Sequence, residues 1–311
     1  MSQNRSQIDM LLTKSSNGYF VKGAIAEEVL PLVTSAQYSG KLARYGTSHL
    51  RIVNSLKVGR GKYRQVESVA YATDSFFIEG HGLEDVVSKE DYRNVLDPFK
   101  AEEDKTLGVM SSLLLEKEKV LADTLGSTSI MTQNVTLTGT DQYNDFLNSD
   151  PIDDFITARA TVKSGCGVPP NKVVMSWEVY NKLRFHPQML DSLGFKQSRP
   201  GGLTVVELAL ALEVDKVLIG QCSYESAQEG QTSSLAPVWG KNVVFYYAPD
   251  SASLREVSLG FRVQIEGEAP RKVYKWSQNN PPGSTAVLVE DEYDQVIQVA
   301  GAGYLIKNAI A

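Results

Sequence analysis

"DPFKAEEDKTLGVMSSLLLEKEKVLADTLGS", residues 97–127, reads as one unbroken helix. Asp97 suits the N-cap and Pro98 the first turn, and Gly126 stands where a left-handed stop belongs. Glu102, Glu103 and Asp104 lie near the positive end of the helix dipole; Lys117 and Lys119 lie toward the negative end. About 28 residues at about 1.5 Å each give a rod of about 42 Å. A compact chain of 311 residues would measure only about 50 Å across. On a helical wheel, Leu107, Met110, Leu114, Leu121 and Leu125 form one apolar stripe, and Val109, Leu113 and Val120 form a second well away from it. Lys117 and Thr124 fall on the seam positions of a heptad, which argues against a two-stranded coiled coil. The pattern predicts a backbone helix whose C-terminal half packs on two sides, with its charged first turns exposed or facing a partner.

The rest of the chain is ordinary in composition, with 42% hydrophobic and 22% charged residues. A net charge of −6 argues against a main task of gripping nucleic acid, although not against enclosing it. Cys166 and Cys222 are the only cysteines, too few for a disulfide framework, and read as small core residues of a reduced, intracellular protein. The first 20 residues contain no sustained apolar run, and nowhere does a stretch long enough to span a bilayer occur.

Along the chain, the first 22 residues are polar and read as an arm with little structure of its own. "AIAEEVLPLV" (24–33) is a short apolar segment stopped by Pro31. From 48 to 58, Leu50, Ile52, Leu56 and Val58 alternate on one face; "GRGK" (59–62) signals a turn, and 63–78 returns, which predicts a long hairpin. An isolated ribbon is marginal in water, so its apolar side needs a surface to lie on. Residues 80–96 predict a turn and a short helix. Beyond the long helix, helices are expected at 149–164, 177–183 and 203–212, and strands at 134–139, 171–176, 215–220 and 242–248. The C-terminal part reads as strands at 258–267, 271–276, 284–293 and 295–306. The class is α+β.

Catalytic signatures are weak. Gly61-Lys62 is followed by Tyr63, so the phosphate-loop pattern fails, and Gly301-Ala302-Gly303 lacks the third glycine of a dinucleotide fingerprint. The histidines His49, His81 and His186 have no ligand-like spacing. His81 lies near Glu79, Glu84 and Asp85 but between glycines, which favours a solvated turn over a metal site or general base. Asp150, Asp153 and Asp154 fit the first turn of a helix better than a carboxylate site. No catalytic, cofactor-binding or metal-binding residue is assigned. Arg60, Lys62 and Arg64 cluster at the hairpin tip, either solvated or docking on an acidic patch of a neighbouring subunit.

A loose arm, a projecting hairpin and an overlong helix, in that order, resemble the major capsid proteins of tailed bacteriophages, with the Hong Kong 97-type shell fold. The segments that carry the resemblance are "AEEVLPLVTSAQYSGKLARYG" (26–46), residues 79–125, "SDPIDDFITA", "PNKVVMSWEVYNKLRFHPQMLDSLG", "VDKVLIGQCSYESAQEGQ", "VWGKNVVFYYAP" and "YDQVIQVAGAGYLIKNAI". It implies an N-terminal arm (1–45), an extended loop (46–80), a peripheral domain (81–148 with 256–311) containing the spine helix at 98–125, and an axial domain (149–255). It further implies hexamers and pentamers closing an icosahedral head around double-stranded DNA. Scaffolding, portal and decoration proteins would be partners, and the subunit would reside in the virion after assembly in the host cytoplasm. The chain starts almost directly at the arm, so a separate scaffold or an already removed segment is expected; covalent crosslinks are neither supported nor excluded. Inter-subunit contact candidates are Arg60, Lys62, Arg64, Leu50, Ile52, Leu56, Val58, Glu102, Glu103 and Asp104. An encapsulin-type nanocompartment shares the fold and is the nearest alternative; an α+β enzyme is the alternative of another class.

Overall fold

The computed structural model describes residues 7–18, 21–44, 52, 72–94, 98–194, 201–228, 230–250, 256–267, 269–279 and 282–311. The arm is more ordered than its polar composition suggests. After β1 (Gln7–Ile8), Asp9 accepts hydrogen bonds from the backbone of Leu11 and Leu12 and starts α1 (Met10–Gly18). Leu12 is fully buried beside Met110, Leu114 and Val273. A single inward leucine in a polar stretch is too little periodicity to announce a helix, and tertiary packing supplies the rest. The arm continues through α2 (Ala26–Val29) into β2 (Leu32–Ser35).

β3 (Ser39–Arg44) and β4 (Ala72–Phe77) pair antiparallel as a two-stranded sheet. The hairpin predicted at 48–78 falls mostly on residues outside those described; its described end, β4, pairs with β3, which lies ahead of the predicted range. β5 (Glu79–Val87) corrects a second expectation, since residues 80–88 are not a turn. Gly80 and Gly82 mimic turn chemistry, but here they give room. A Cβ on Gly80 would meet Glu290 Oε1 at 2.9 Å and one on Gly82 would meet the Val289 carbonyl at 3.3 Å. The short α3 (Lys89–Asn94) then leads to the spine helix α4 (Pro98–Leu125), whose bounds match the sequence reading. Its stop differs, however: Gly126 does not take a left-handed φ. Glycine is used because a Cβ there would lie 3.1 Å from Asn242 Nδ2 and 3.0 Å from the Ala122 carbonyl.

After β6 (Asn134–Thr136), the expected alternation appears. Asp150 caps α5 (Pro151–Cys166) by accepting from Asp153 N, with Pro151 at its start. Ser176 ends β7 (Lys172–Ser176) and caps α6 (Trp177–Leu183). The short α7 (Pro187–Ser192) follows, then α8 (Val205–Ala211), which opens with a Thr204–Glu207 capping box. Strands β8 (Lys216–Gly220), β9 (Ser223–Glu225), β10 (Leu235–Pro237), β11 (Val243–Tyr246), β12 (Gly260–Ile265) and β13 (Arg271–Asn279) come next. β14 (Pro282–Ile297) merges the strand expected at 284–293 with the start of the next, and β15 (Gly303–Lys307) is separate. The run "EDEYDQ" (290–295) interrupts simple alternation, yet Asp291 and Tyr293 face inward and are buried.

Two sheets result. The larger runs β1-β13-β14-β12-β2, with β5 also paired to β14. The smaller runs β6-β15-β11-β7-β8, so β6 and β15 join the strands of the α/β region. The spine serves both. Met110 and Leu114 pack with Val87, Val273, Val287 and Val289 of the larger sheet. Leu121 and Leu125 pack with Ile25 and Val29 of the arm and Val174, Val244 and Leu305 of the smaller sheet. One stripe thus feeds two cores, which fits two-sided packing; of the second stripe, Val109 and Leu113 are buried while Val120 is 48% exposed.

Candidate functional site

The densest polar arrangement sits where arm, spine and both sheets meet. Lys117, only 1% exposed, interrupts the apolar stripe between Leu114 and Leu121. Its ammonium lies 2.8 Å from Asp291 Oδ2 and 3.5 Å from Glu27 Oε1, and stands over the Tyr293 ring at 4.1 Å. Burial pulls the Lys117 pKa below its ordinary value, against the pull of Asp291 and Glu27. Glu27 also meets Arg271 at 2.6 Å and Arg262 at 3.2 Å. Burial alone would raise its pKa, but these three cations together hold it below the usual carboxylate value.

Glu118, the next spine residue, is fully buried and faces the other way. Its carboxylate accepts from Ile25 N (3.0 Å), Ala26 N (2.6 Å) and Trp239 Nε1 (2.5 Å). Burial raises its pKa, yet all three of these contacts are donors, an arrangement that fits the ionised form. This junction is not apparent in the sequence, where Lys117 bears on the helix dipole and on the absence of a coiled-coil seam. A charge in the middle of an apolar stripe was the available signal, because such a side chain needs a buried counter-ion.

The candidate contact residues scatter. Arg60, Lys62, Arg64, Leu50, Leu56 and Val58 lie outside the described residues; Ile52 is 98% exposed. Asp104 is exposed, as expected of a charged first turn. Glu103 is half-buried and accepts from Ser15 Oγ at 3.0 Å. Glu102 departs from the expectation of a free charge: it is 6% exposed, accepts from Tyr92 Oη at 2.7 Å and pairs with Lys275. Burial first, and this carboxylate with it, push the Tyr92 hydroxyl up to about 12.

His81 lies on β5 rather than in a turn and stacks on Tyr293 at 4.6 Å. Among the described residues no group of three or more His, Cys, Asp or Glu is placed to hold a metal ion. Asp153 and Asp154 occupy the first turn of α5, and Asp154 accepts from Tyr143 Oη at 3.1 Å. Cys166 and Cys222 are buried free thiols, and burial raises both pKa values.

His186 is fully buried against Phe146, near Asp150. Ser149 Oγ lies 2.6 Å from the Asp145 carbonyl, which takes its proton, so His186 Nε2 donates to Ser149 Oγ at 3.1 Å. Nδ1 has no partner among the described residues. Burial lowers the imidazole pKa from its ordinary 6.5. On acidification the unfolded chain takes up this proton first. The contribution is therefore complete above about pH 6.5 and is lost through the interval below it. The melting temperature should fall more between about pH 7 and about pH 5.5 in the wild type than in His186→Leu. Equal falls in thermal scans of the two proteins would show that His186 does not titrate in this way.

Comparison with known proteins gives a consistent result. No protein-family model matches the chain. The major capsid protein of Burkholderia phage BcepMu is 23% identical over 268 residues, 84% of each chain. The major capsid protein of Pseudomonas phage JBD67 is 26% identical over 318 residues, covering 100% of both chains. Among solved structures, a phage-related protein from Bordetella bronchiseptica superposes with a TM-score of 0.75 at 24% identity over 98% of each chain. The capsid protein of cyanophage P-SCSP1u superposes with a TM-score of 0.60 at 10% identity, over 93% of this chain and 89% of that one. The sequence relatives favour the capsid reading over the nanocompartment and the enzyme. The chain is a homologue of phage major capsid proteins and has the Hong Kong 97-type shell fold.

Proposed function

We propose that the chain is the major capsid subunit of a tailed phage, assembling into hexamers and pentamers of an icosahedral head around double-stranded DNA. The observation that carries this reading is end-to-end similarity to a phage major capsid protein, covering 100% of both chains. The fold supports it: a 28-residue spine packed against two sheets makes a stiff tile. In this reading residues 1–45 are the arm, 46–80 the extended loop, 81–148 with 256–311 the peripheral domain, and 149–255 the axial domain, whose sheet β6 and β15 complete. The role is structural, without catalysis. A net charge of −6 suits an enclosure that holds DNA without adhering to it or reading its sequence. Scaffolding, portal and decoration proteins are the expected partners, and the subunit assembles in the host cytoplasm and ends in the virion.

Basic Arg60, Lys62 and Arg64 are the proposed contacts with a neighbour's acidic surface, and Leu50, Ile52, Leu56 and Val58 are the apolar side that a neighbour covers. Asp104, exposed near the spine's start, is the acidic candidate. Electron microscopy of the purified protein, with scaffold supplied, should show closed shells. Arg60→Glu with Lys62→Glu should reduce shell yield by about tenfold while leaving the far-ultraviolet circular dichroism of the subunit unchanged. Undiminished yield would remove the basic residues from the contact; monomers under all conditions for the wild type would remove the shell reading itself.

A further inference from the structure

α2 has four residues, too few to stay helical alone, yet it touches all three bodies of the subunit. Its first amide, Ala26 N, holds Glu118 of the spine together with that of Ile25. Glu27 turns toward the larger sheet and meets Arg262 and Arg271. Glu28 turns to the smaller sheet and accepts from Lys216 Nζ of β8 at 2.6 Å. The Val29 carbonyl accepts from Tyr246 Oη of β11 at 3.1 Å. Two successive carboxylates therefore tie one short helix to two different sheets, while the spine grips its amino end.

We propose that α2 is a releasable rivet: docked, it sets the angle between the two sheets, and lifted, it lets them rotate about the spine. The bond from Leu259 N to the Tyr247 carbonyl (2.9 Å) lies where the chain crosses between the two bodies and acts as the pivot. β2 stays paired in parallel with β12, so α2 can lift while the arm remains anchored beyond it. Charge makes the docked state the default. Without α2, Glu118 would keep only Trp239 of its three described donors, Lys117 would keep only Asp291 of its two described carboxylates, and Arg262 would lose Glu27. Stranding buried charge is costly, and neutralising these carboxylates shifts the balance toward the lifted state. The proposal rests on contacts within one chain and stands whether or not the shell reading holds.

The test uses the full-length unassembled chain carrying spin labels at two exposed positions, Glu90→Cys beside the larger sheet and Ala160→Cys on α5. Pulsed electron resonance should give one narrow distance in the otherwise native protein. In Glu27→Gln with Glu118→Gln the distribution should broaden by about twofold or more, and amides 25–30 should exchange with deuterium about tenfold faster. Glu28→Gln changes an exposed residue, so folding is not at risk. It cuts only the ionic tether to the smaller sheet, the one to Lys216, and should broaden the distance while leaving the Ile25 and Ala26 amides protected. Faster exchange at 25–30 with an unchanged narrow distance would overturn the rivet. An unchanged distance in Glu28→Gln would overturn it equally, even if the double variant failed to fold.

Discussion

Asp291→Ala should destabilise the subunit by about 3–5 kcal/mol, because it removes one member of a buried ion pair and strands the other. Asp291 is 0% and Lys117 1% exposed, and their atoms lie 2.8 Å apart. Water cannot replace the lost carboxylate at that depth, and Glu27, at 3.5 Å, already serves Arg271 and Arg262. Chemical denaturation of the unassembled chain reads the loss as a lower midpoint. Adding Lys117→Met to Asp291→Leu should recover most of it, since an apolar pair of similar size has no charge to strand. A loss below about 1 kcal/mol for Asp291→Ala would mean that the pair is not engaged in solution.

Gly220→Ala is the second large effect. A Cβ at this position would lie 2.0 Å from Trp239 Cδ1 and 2.5 Å from its Nε1. Trp239 is itself 3% exposed, so the indole has no free space to swing into. Overpacking costs about 1–3 kcal/mol. Displacing Nε1 also breaks its bond to the Glu118 carboxylate, a further loss of about 1.5–3 kcal/mol for a charge-assisted bond. Tryptophan fluorescence should report a changed environment in the folded state together with the lower midpoint. Gly108→Ala is the contrast: it lies inside the spine with nothing within 4 Å of the added atom, and should stabilise by about 0.5–1 kcal/mol. If Gly220→Ala were as well tolerated as Gly108→Ala, close packing against Trp239 would not be what requires glycine at 220.

These cases also show what the amino-acid order reveals. The spine was legible because its signals are local: two stripes, a proline at the start and a glycine at the end. α6 and α8 were legible for the same reason, through Ser176 and the Thr204–Glu207 pair. β5 was not, because Gly80 and Gly82 write the same letters for a turn and for a strand pressed against Glu290 and Val289. α1 depends on Leu12 meeting Met110 and Val273, partners far away in the chain. The junction was half-legible. Lys117 announces a buried charge, but nothing local says that Asp291 answers it. Glu102 reads as a charge of the exposed first turns and nothing local singles out Glu118; only the fold turns both inward.

β14 has a mechanical meaning as well. Its 16 residues are bonded to β13, β5 and β12, and antiparallel rungs run perpendicular to the strand. A pull along β14 loads many rungs at once, whereas a pull across it opens them in turn, like a zip. The subunit is therefore an anisotropic material, stiff in tension along one line and compliant across it. A lattice built from such pieces would carry internal pressure best where that line follows the stress.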